Sequence, residues 1–133
     1  MEHKRINYSS GAPLEEKVGY SRMVKIDDQV FIGGTTSVQP DGSVYGETAY
    51  EQARYIFDKM LALLAKAGAG ARDVYKVDYF VTDIAYTAEV GRAYSETFHD
   101  VKPLCTAMAI KSLKRPTQMV EIELAAIVHT VLE

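Results

Sequence analysis

The chain has 133 residues, 47% hydrophobic and 25% charged, which fits one globular domain over residues 1–133 and excludes disordered, collagen-like and coiled-coil architectures. Fifteen Lys and Arg against 18 Asp and Glu leave a formal charge of -3, which argues against a nucleic-acid partner held on a broad basic face. A single cysteine, Cys105, excludes an internal disulfide, and neither a membrane span nor an apolar leader behind Met1–Arg5 is present, so a reduced, cytoplasmic setting is expected.

Residues Arg5 to Tyr8 read as a first short strand. Met23-Val24-Lys25-Ile26 and Val30-Phe31-Ile32 flank Asp27-Asp28 in the pattern of a hairpin. Pro40-Asp41-Gly42 is a turn, because proline presets one dihedral and glycine accepts a positive one. From Thr48 to Ala67, the residues Ala49, Ala53, Ile56, Met60, Leu63 and Ala67 recur at helical spacing. Thr48 with Glu51 fits a capping box, and Gly68 and Gly70 stop the helix. Val74 to Val81 alternates as a strand, with Tyr75, Val77, Tyr79 and Val81 on one face and Lys76, Asp78 and Phe80 on the other. Asp83 to Phe98 carries Val90, Tyr94 and Phe98 at spacings of four. It predicts a second helix, in which Gly91 costs about 1 kcal/mol relative to alanine. Pro103 ends the next loop. Thr106 to Lys111 and Met119 to Val128 then read as two strands, joined by a loop containing Arg115-Pro116.

The order β-β-β-α-β-α-β-β predicts an α+β fold, one mixed sheet with two helices packed on one face. Strands such as Val74–Val81 and Thr106–Lys111 carry apolar groups on both faces. The second face is therefore expected to be covered by other subunits.

Familiar catalytic motifs are missing. Gly33-Gly34 and Gly68-Ala69-Gly70 lack the lysine and spacing of a phosphate loop, and no serine elbow with a partnered histidine is recognisable. His3, His99 and His129 stand apart, so neither a metal site nor a cofactor is expected. Any chemistry must come from a sparse set of side chains.

Three segments carry a family resemblance. The first is Gly19-Tyr20-Ser21-Arg22 followed by Val30-Phe31-Ile32-Gly33-Gly34-Thr35-Thr36. The second is Gln52-Ala53-Arg54, leading through Ala67-Gly68-Ala69 to Asp73-Val74-Tyr75-Lys76-Val77. The third is Lys102-Pro103-Leu104-Cys105-Thr106 with the terminal Val120-Glu121-Ile122-Glu123. In order and spacing, over about residues 14 to 130, the chain resembles the RidA/YjgF family of reactive-intermediate (enamine/imine) deaminases. The resemblance implies a chorismate-mutase-like fold, a homotrimer, and clefts between subunits that take a small-molecule ligand.

It also implies roles for particular residues. Tyr20 falls on the tyrosine that lines the cleft, Gly34 on the glycine whose backbone approaches the ligand, and Glu121 on the glutamate that positions the hydrolytic water. Three positions depart from the family pattern. Cys105 stands where deaminases place the arginine that grips a substrate carboxylate, Gly33 replaces a serine, and Gly91 replaces an asparagine. A bidentate guanidinium clamp is hard to replace. Arg22, Arg92 and Arg115 are the arginines considered as substitutes. Sequences of the Gly-Tyr-Ser-Arg type look like a branch of the family that generally lacks the clamp.

Each candidate has a plainer reading. Tyr20 and Arg22 share a strand face and fit a surface stacking pair as well as a ligand wall. Glu121 and Glu123 alternate with Val120, Ile122 and Leu124, the pattern of a solvated strand face. Cys105 fits a small buried hydrophobe as well as a cleft-lining thiol. Thr35, Thr36 and Thr106 are ordinary β-formers. Three functions stay open at this point: imine hydrolysis with Glu121 catalytic, a non-enzymatic ligand-binding or regulatory trimer, and a ribonuclease, against which the charge counts.

Overall fold

A computed structural model describes all 133 residues, Met1–Glu133. The chain runs β1 (Arg5–Tyr8), α1 (Pro13–Val18), β2 (Met23–Ile26), β3 (Gln29–Thr35), α2 (Ala49–Lys66), β4 (Val74–Val81), α3 (Thr87–Phe98), β5 (Leu104–Ala109) and β6 (Val120–Ile127). Six strands form one sheet in the order β1-β2-β3-β6-β4-β5. Every neighbouring pair is antiparallel except β4–β5, which is parallel and joined through α3. The mixed α+β architecture expected from the pattern is present.

The long helix α2 begins where its side chains dictate. The Thr48 hydroxyl accepts from the Glu51 amide, and the Glu51 carboxylate accepts from the Thr48 amide, satisfying donors that a helix start leaves free. Its apolar stripe, including Ala53, Ile56, Phe57, Met60 and Leu64, is fully buried. That stripe lies on the sheet face formed by Val30, Ile32, Val77, Val81, Val120 and Ile122. Phe57, Tyr94 and Phe98 lock α2 to α3, with Phe57 and Phe98 edge to face at 5.5 Å. Gly68, at φ +80°, lets the chain turn after α2.

The structure corrects four details. A third, short helix, α1, follows β1; Pro13 starts it, and Gly19 at φ +95° ends it by donating to the Glu15 carbonyl at 2.8 Å. Six residues are too few for a visible helical period. Tyr75 does not share a face with Val77. A register shift between Val74 and Lys76 pushes it outward beside Lys76 and Asp78, and Val74 takes the buried place. The helix expected from Asp83 starts at Thr87, after a single 3-10 turn that Asp83 caps. The strand expected from Thr106 runs from Leu104 to Ala109, so Cys105 lies inside it.

Candidate functional site

The site grows from an irregularity in β3. Ile32 pairs with Leu124 and Thr35 with Ile122, three steps against two, so Gly33-Gly34 holds one extra residue. The Thr35 hydroxyl pins this bulge by donating to the Gly33 carbonyl at 2.8 Å. Gly34 is thereby turned towards Glu121 on β6. A Cβ at Gly34 would fall 2.9 Å from both Cδ and Oε1 of Glu121, closer than real Cβ atoms come. Gly33 is roomier: a Cβ there would meet only the Arg22 carbonyl, at 3.6 Å.

Arg22, just ahead of β2, joins this group. Its carbonyl accepts from the Gly33 amide at 2.9 Å, and its Nη1 donates to the Gly34 carbonyl. The guanidinium sits 5.6 Å from the centre of the Tyr20 ring. Its Nε faces Oε2 of Glu15 at 3.6 Å. Glu15 is buried on α1, where its carboxylate accepts from the Ser10 amide at 3.1 Å and from the Ser10 hydroxyl. Burial pushes the Glu15 carboxyl up, but the Ser10 and Ser9 donors and the Arg22 charge outweigh it, leaving the pKa lowered. Tyr20, Arg22, Gly33, Gly34 and Glu121 are thus neighbours within one chain. No protein group hydrogen-bonds the Glu121 carboxylate, and every buried polar side-chain atom has a partner, so its oxygens are open to a ligand.

Next to Glu121 the sheet carries more charge. Glu123 lies opposite Asp78, which is paired with Lys76. Burial, with Asp78 beside it, pushes the Glu123 carboxyl up against the opposing pull of Lys76. These residues, with Phe31, Gly33 and Tyr75, border an open hollow of about 320 Å³ on the sheet face away from α2 and α3.

Gly91 and Cys105 are placed elsewhere. Cys105 pairs with Val77, whose side chain faces the helices, whereas Glu121 pairs with Phe80 on the opposite face. Within one chain the two therefore sit on opposite sides of the sheet. Cys105 is exposed on the edge strand, not a buried hydrophobe. Partial desolvation and the Asp78 charge push its thiol pKa up, against the Tyr94 hydroxyl, so nothing in its own chain activates it as a nucleophile. Desolvation and the Cys105 contact raise the Tyr94 hydroxyl to about 12. Gly91 lies one helical turn before Tyr94, with open space where a Cβ would point. Among the substitute arginines, Arg92 is stacked 3.9 Å from the Tyr50 ring on the outer helices, and Arg115 bonds through its backbone to Gln118. Only Arg22 stands beside Gly34.

Sequence reading missed the supports of this site. Gln52 is fully buried; its amide donates to the carbonyls of Gly46 at 3.2 Å and Thr117 at 2.9 Å and accepts from the Met119 amide at 2.9 Å. Gln118 donates to the Thr36 hydroxyl at 3.1 Å, and the Lys59 ammonium donates to the carbonyls of Thr36 and Val38. Together they fix the segment after the bulge and the loop that leads into Glu121. The available signal was a glutamine in phase with the apolar stripe of α2.

Comparison with known proteins follows the same outline. The family model described as endoribonuclease L-PSP matches residues 11–128. An uncharacterized protein of Streptomyces coelicolor is 31% identical over 118 residues, covering 88% of this chain and 87% of that one. A RutC family protein of Pyrococcus abyssi is 29% identical over 125 residues, covering 92% and 96%. Among solved structures, a Mycobacterium tuberculosis member of the YjgF/YER057c/UK114 family superposes with a TM-score of 0.86 at 34% identity, covering 94% of this chain and all of the other.

Proposed function

The chain belongs to the endoribonuclease L-PSP family, also known as the YjgF or RidA family, and from that premise we propose that it forms a homotrimer whose intersubunit clefts bind a small polar metabolite and hydrolyse its enamine or imine C–N bond. The observation that carries this reading is the Glu121 carboxylate, unpaired by protein and pressed over the backbone of Gly34. A carboxylate so placed orients water and accepts its proton as the water attacks the imine carbon. The resulting carbinolamine collapses to a carbonyl compound and releases ammonia. Because imines hydrolyse unaided, positioning and a proton relay are all that the protein must supply. Tyr20 shapes the cleft, Gly33 and Gly34 let the ligand approach the backbone, and Gly91 and Cys105 enter from a neighbouring subunit. That assignment is supported by the opposite sheet faces on which Cys105 and Glu121 lie.

One observation favours a second reading, a ligand-binding or regulatory trimer without catalysis: a neutral cysteine stands where the resemblance places the carboxylate-gripping arginine. The endoribonuclease named in the family description is not carried over, because the formal charge of -3 comes with no basic aromatic stripe. No helix is long and apolar enough to cross a membrane, and the unpaired cysteine supports a reduced, cytoplasmic setting.

Ammonia release from 2-aminoacrylate generated in situ tests the two readings. The wild type is expected to accelerate release, and Glu121→Ala to lose roughly 10²–10⁴-fold, the usual contribution of a general acid–base. An inactive wild type, with activity appearing in Cys105→Arg, would reject catalysis and favour the regulatory trimer.

A further inference from the structure

The glycine bulge of β3 is gripped by a residue from outside the strand. A bulge takes its extra residue out of the ladder, and the freed backbone groups then need other partners. Arg22 meets Gly33-Gly34 twice: its carbonyl accepts from the Gly33 amide at 2.9 Å, and its Nη1 donates to the Gly34 carbonyl. Its own amide donates to the Tyr8 carbonyl at 3.0 Å, which ties the same residue to β1. Main chain and side chain of one arginine therefore hold both glycines.

The grip needs a counter-charge. The Arg22 side chain is only 17% exposed, and a poorly solvated cation must be paired to stay in place. Glu15 is the one carboxylate within ion-pair distance, with Oε2 3.6 Å from Nε. It is 3% exposed, its oxygens accept from the Ser10 amide and hydroxyl, and its carbonyl accepts from the amides of Gly19 and Tyr20 at 2.8 and 3.0 Å. The short helix α1 thus buries a carboxylate that holds an arginine, and the arginine holds the bulge. A second cation makes that carboxylate more necessary. Lys59 reaches from α2 to the carbonyls of Thr36 and Val38, just past the bulge. Burial first, and then the Arg22 charge, press its ammonium below the usual range. Without Glu15 the two cations repel across the glycines.

We propose that Arg22, braced by Glu15, is the positioning residue that sets the Gly34 backbone against the Glu121 carboxylate. The inference rests on the reading of Glu121 as the group that orients the hydrolytic water, and adds what fixes the surface it rests on. A Cβ at Gly34 would fall 2.9 Å from Glu121, so a small shift of the bulge towards β6 displaces the carboxylate. Reaction geometry tolerates little of this: a misplacement of about 1 Å costs about 10²-fold. Neither Arg22 nor Glu15 touches the substrate in this role.

The test reads the bulge and the chemistry separately. Amide hydrogen exchange of the assembled protein, followed by NMR, reports the Gly33 N–H. Arg22→Gln and Glu15→Gln are expected to speed its exchange about tenfold or more, with the amide of Phe57 in the buried stripe of α2 unchanged. Ammonia release at graded 2-aminoacrylate concentrations reports the chemistry. Arg22→Gln should lower kcat by about 10- to 100-fold with KM within about threefold, and Glu15→Gln should lower it by about 3- to 10-fold. The double variant should be no slower than Arg22→Gln alone, because the two residues act as one unit. A merely structural role would reduce the folded fraction and leave kcat per folded protein intact. If Arg22→Gln fails to fold, Arg22→Lys serves the same comparison, since it keeps the charge and loses the fork. Unchanged Gly33 exchange in the folded variants, or equal acceleration at Phe57, overturns the inference. So does full kcat in both variants of an active protein, which leaves Glu121 standing as the catalytic group. A wild type that releases no ammonia overturns the catalytic reading instead, and Gly33 exchange alone then decides whether Glu15 and Arg22 brace the bulge.

Discussion

Gly33 and Gly34 are adjacent and chemically identical, yet only Gly34 is pressed against Glu121. A methyl at Gly34 must displace the end of the Glu121 side chain, and that end is flexible. Gly34→Ala is therefore expected to fold with a stability change within about 1 kcal/mol and to lose activity as sharply as a Glu121 variant. Gly33→Ala meets nothing closer than 3.6 Å. It should lose less activity than Gly34→Ala and gain about 0.4–1 kcal/mol by restricting the unfolded chain. Denaturant titration beside ammonia release separates the two, and equal activities would remove Gly34 from the site. A pH experiment isolates Glu15. Its folded pKa lies below its ordinary 4.5, so the ionised form stabilises the fold. That contribution is complete above the ordinary value and is lost as pH falls through the folded one. The wild type should thus lose stability relative to Glu15→Gln as acid is added below about pH 4.5. A gap that stays constant down to pH 3 would show that the carboxylate charge contributes nothing.

At the scale of elements, what could be read in advance depended on period and capping. The stripe of α2, its Thr48–Glu51 box and the alternation in β6 each announced their geometry, because burial imposes a repeat of 3.6 or 2 on the sequence. Three features broke the repeat and could not be placed from it. The bulge at Tyr75 reverses one residue's face without any glycine or proline to mark it. The helix α1 is shorter than two turns. Gln52 occupies an apolar phase of α2 with a polar amide, and its reason lies 65 residues away at Thr117. Of the site, Tyr20, Arg22, Gly34 and Glu121 were legible through resemblance and fall together, while Glu15, Lys59 and Gln118 were not, since their partners are set by tertiary contact. Gln52 offers the test. Gln52→Leu keeps the volume but strands the Gly46 and Thr117 carbonyls and the Met119 amide in a dry interior. Unfolding measurements should show a loss of about 2–4 kcal/mol, the cost of several unsatisfied buried groups. A loss below about 1 kcal/mol would mean that water enters to replace the amide.

Over the whole molecule, the sheet face turned away from α2 and α3 holds the decisive information. Leu104 is 68% exposed, Met108 49%, Phe31 39% and Tyr75 37%, an apolar surface in register with Lys76, Asp78 and Glu123. Exposed patches of this kind mark association surfaces. Glu121 faces one side of the sheet and Cys105 the other, at the β5 edge, so in the proposed trimer a first set, Tyr20, Arg22, Gly34 and Glu121, would come from one chain and a second set, Cys105 and Gly91, from the next. This arrangement predicts complementation. Glu121→Gln disables the first set, and Cys105→Trp fills the second; each alone should give inactive trimers of normal mass. In trimers refolded from an equal mixture, a cleft is intact when its first set comes from a Cys105→Trp chain and its second from a Glu121→Gln chain. Each choice has even odds, so about one quarter of wild-type activity should return. A site completed within one chain recovers nothing in the same mixture. Ammonia release by the mixed, size-verified oligomer decides between them, because recovery near a quarter requires clefts built from two chains.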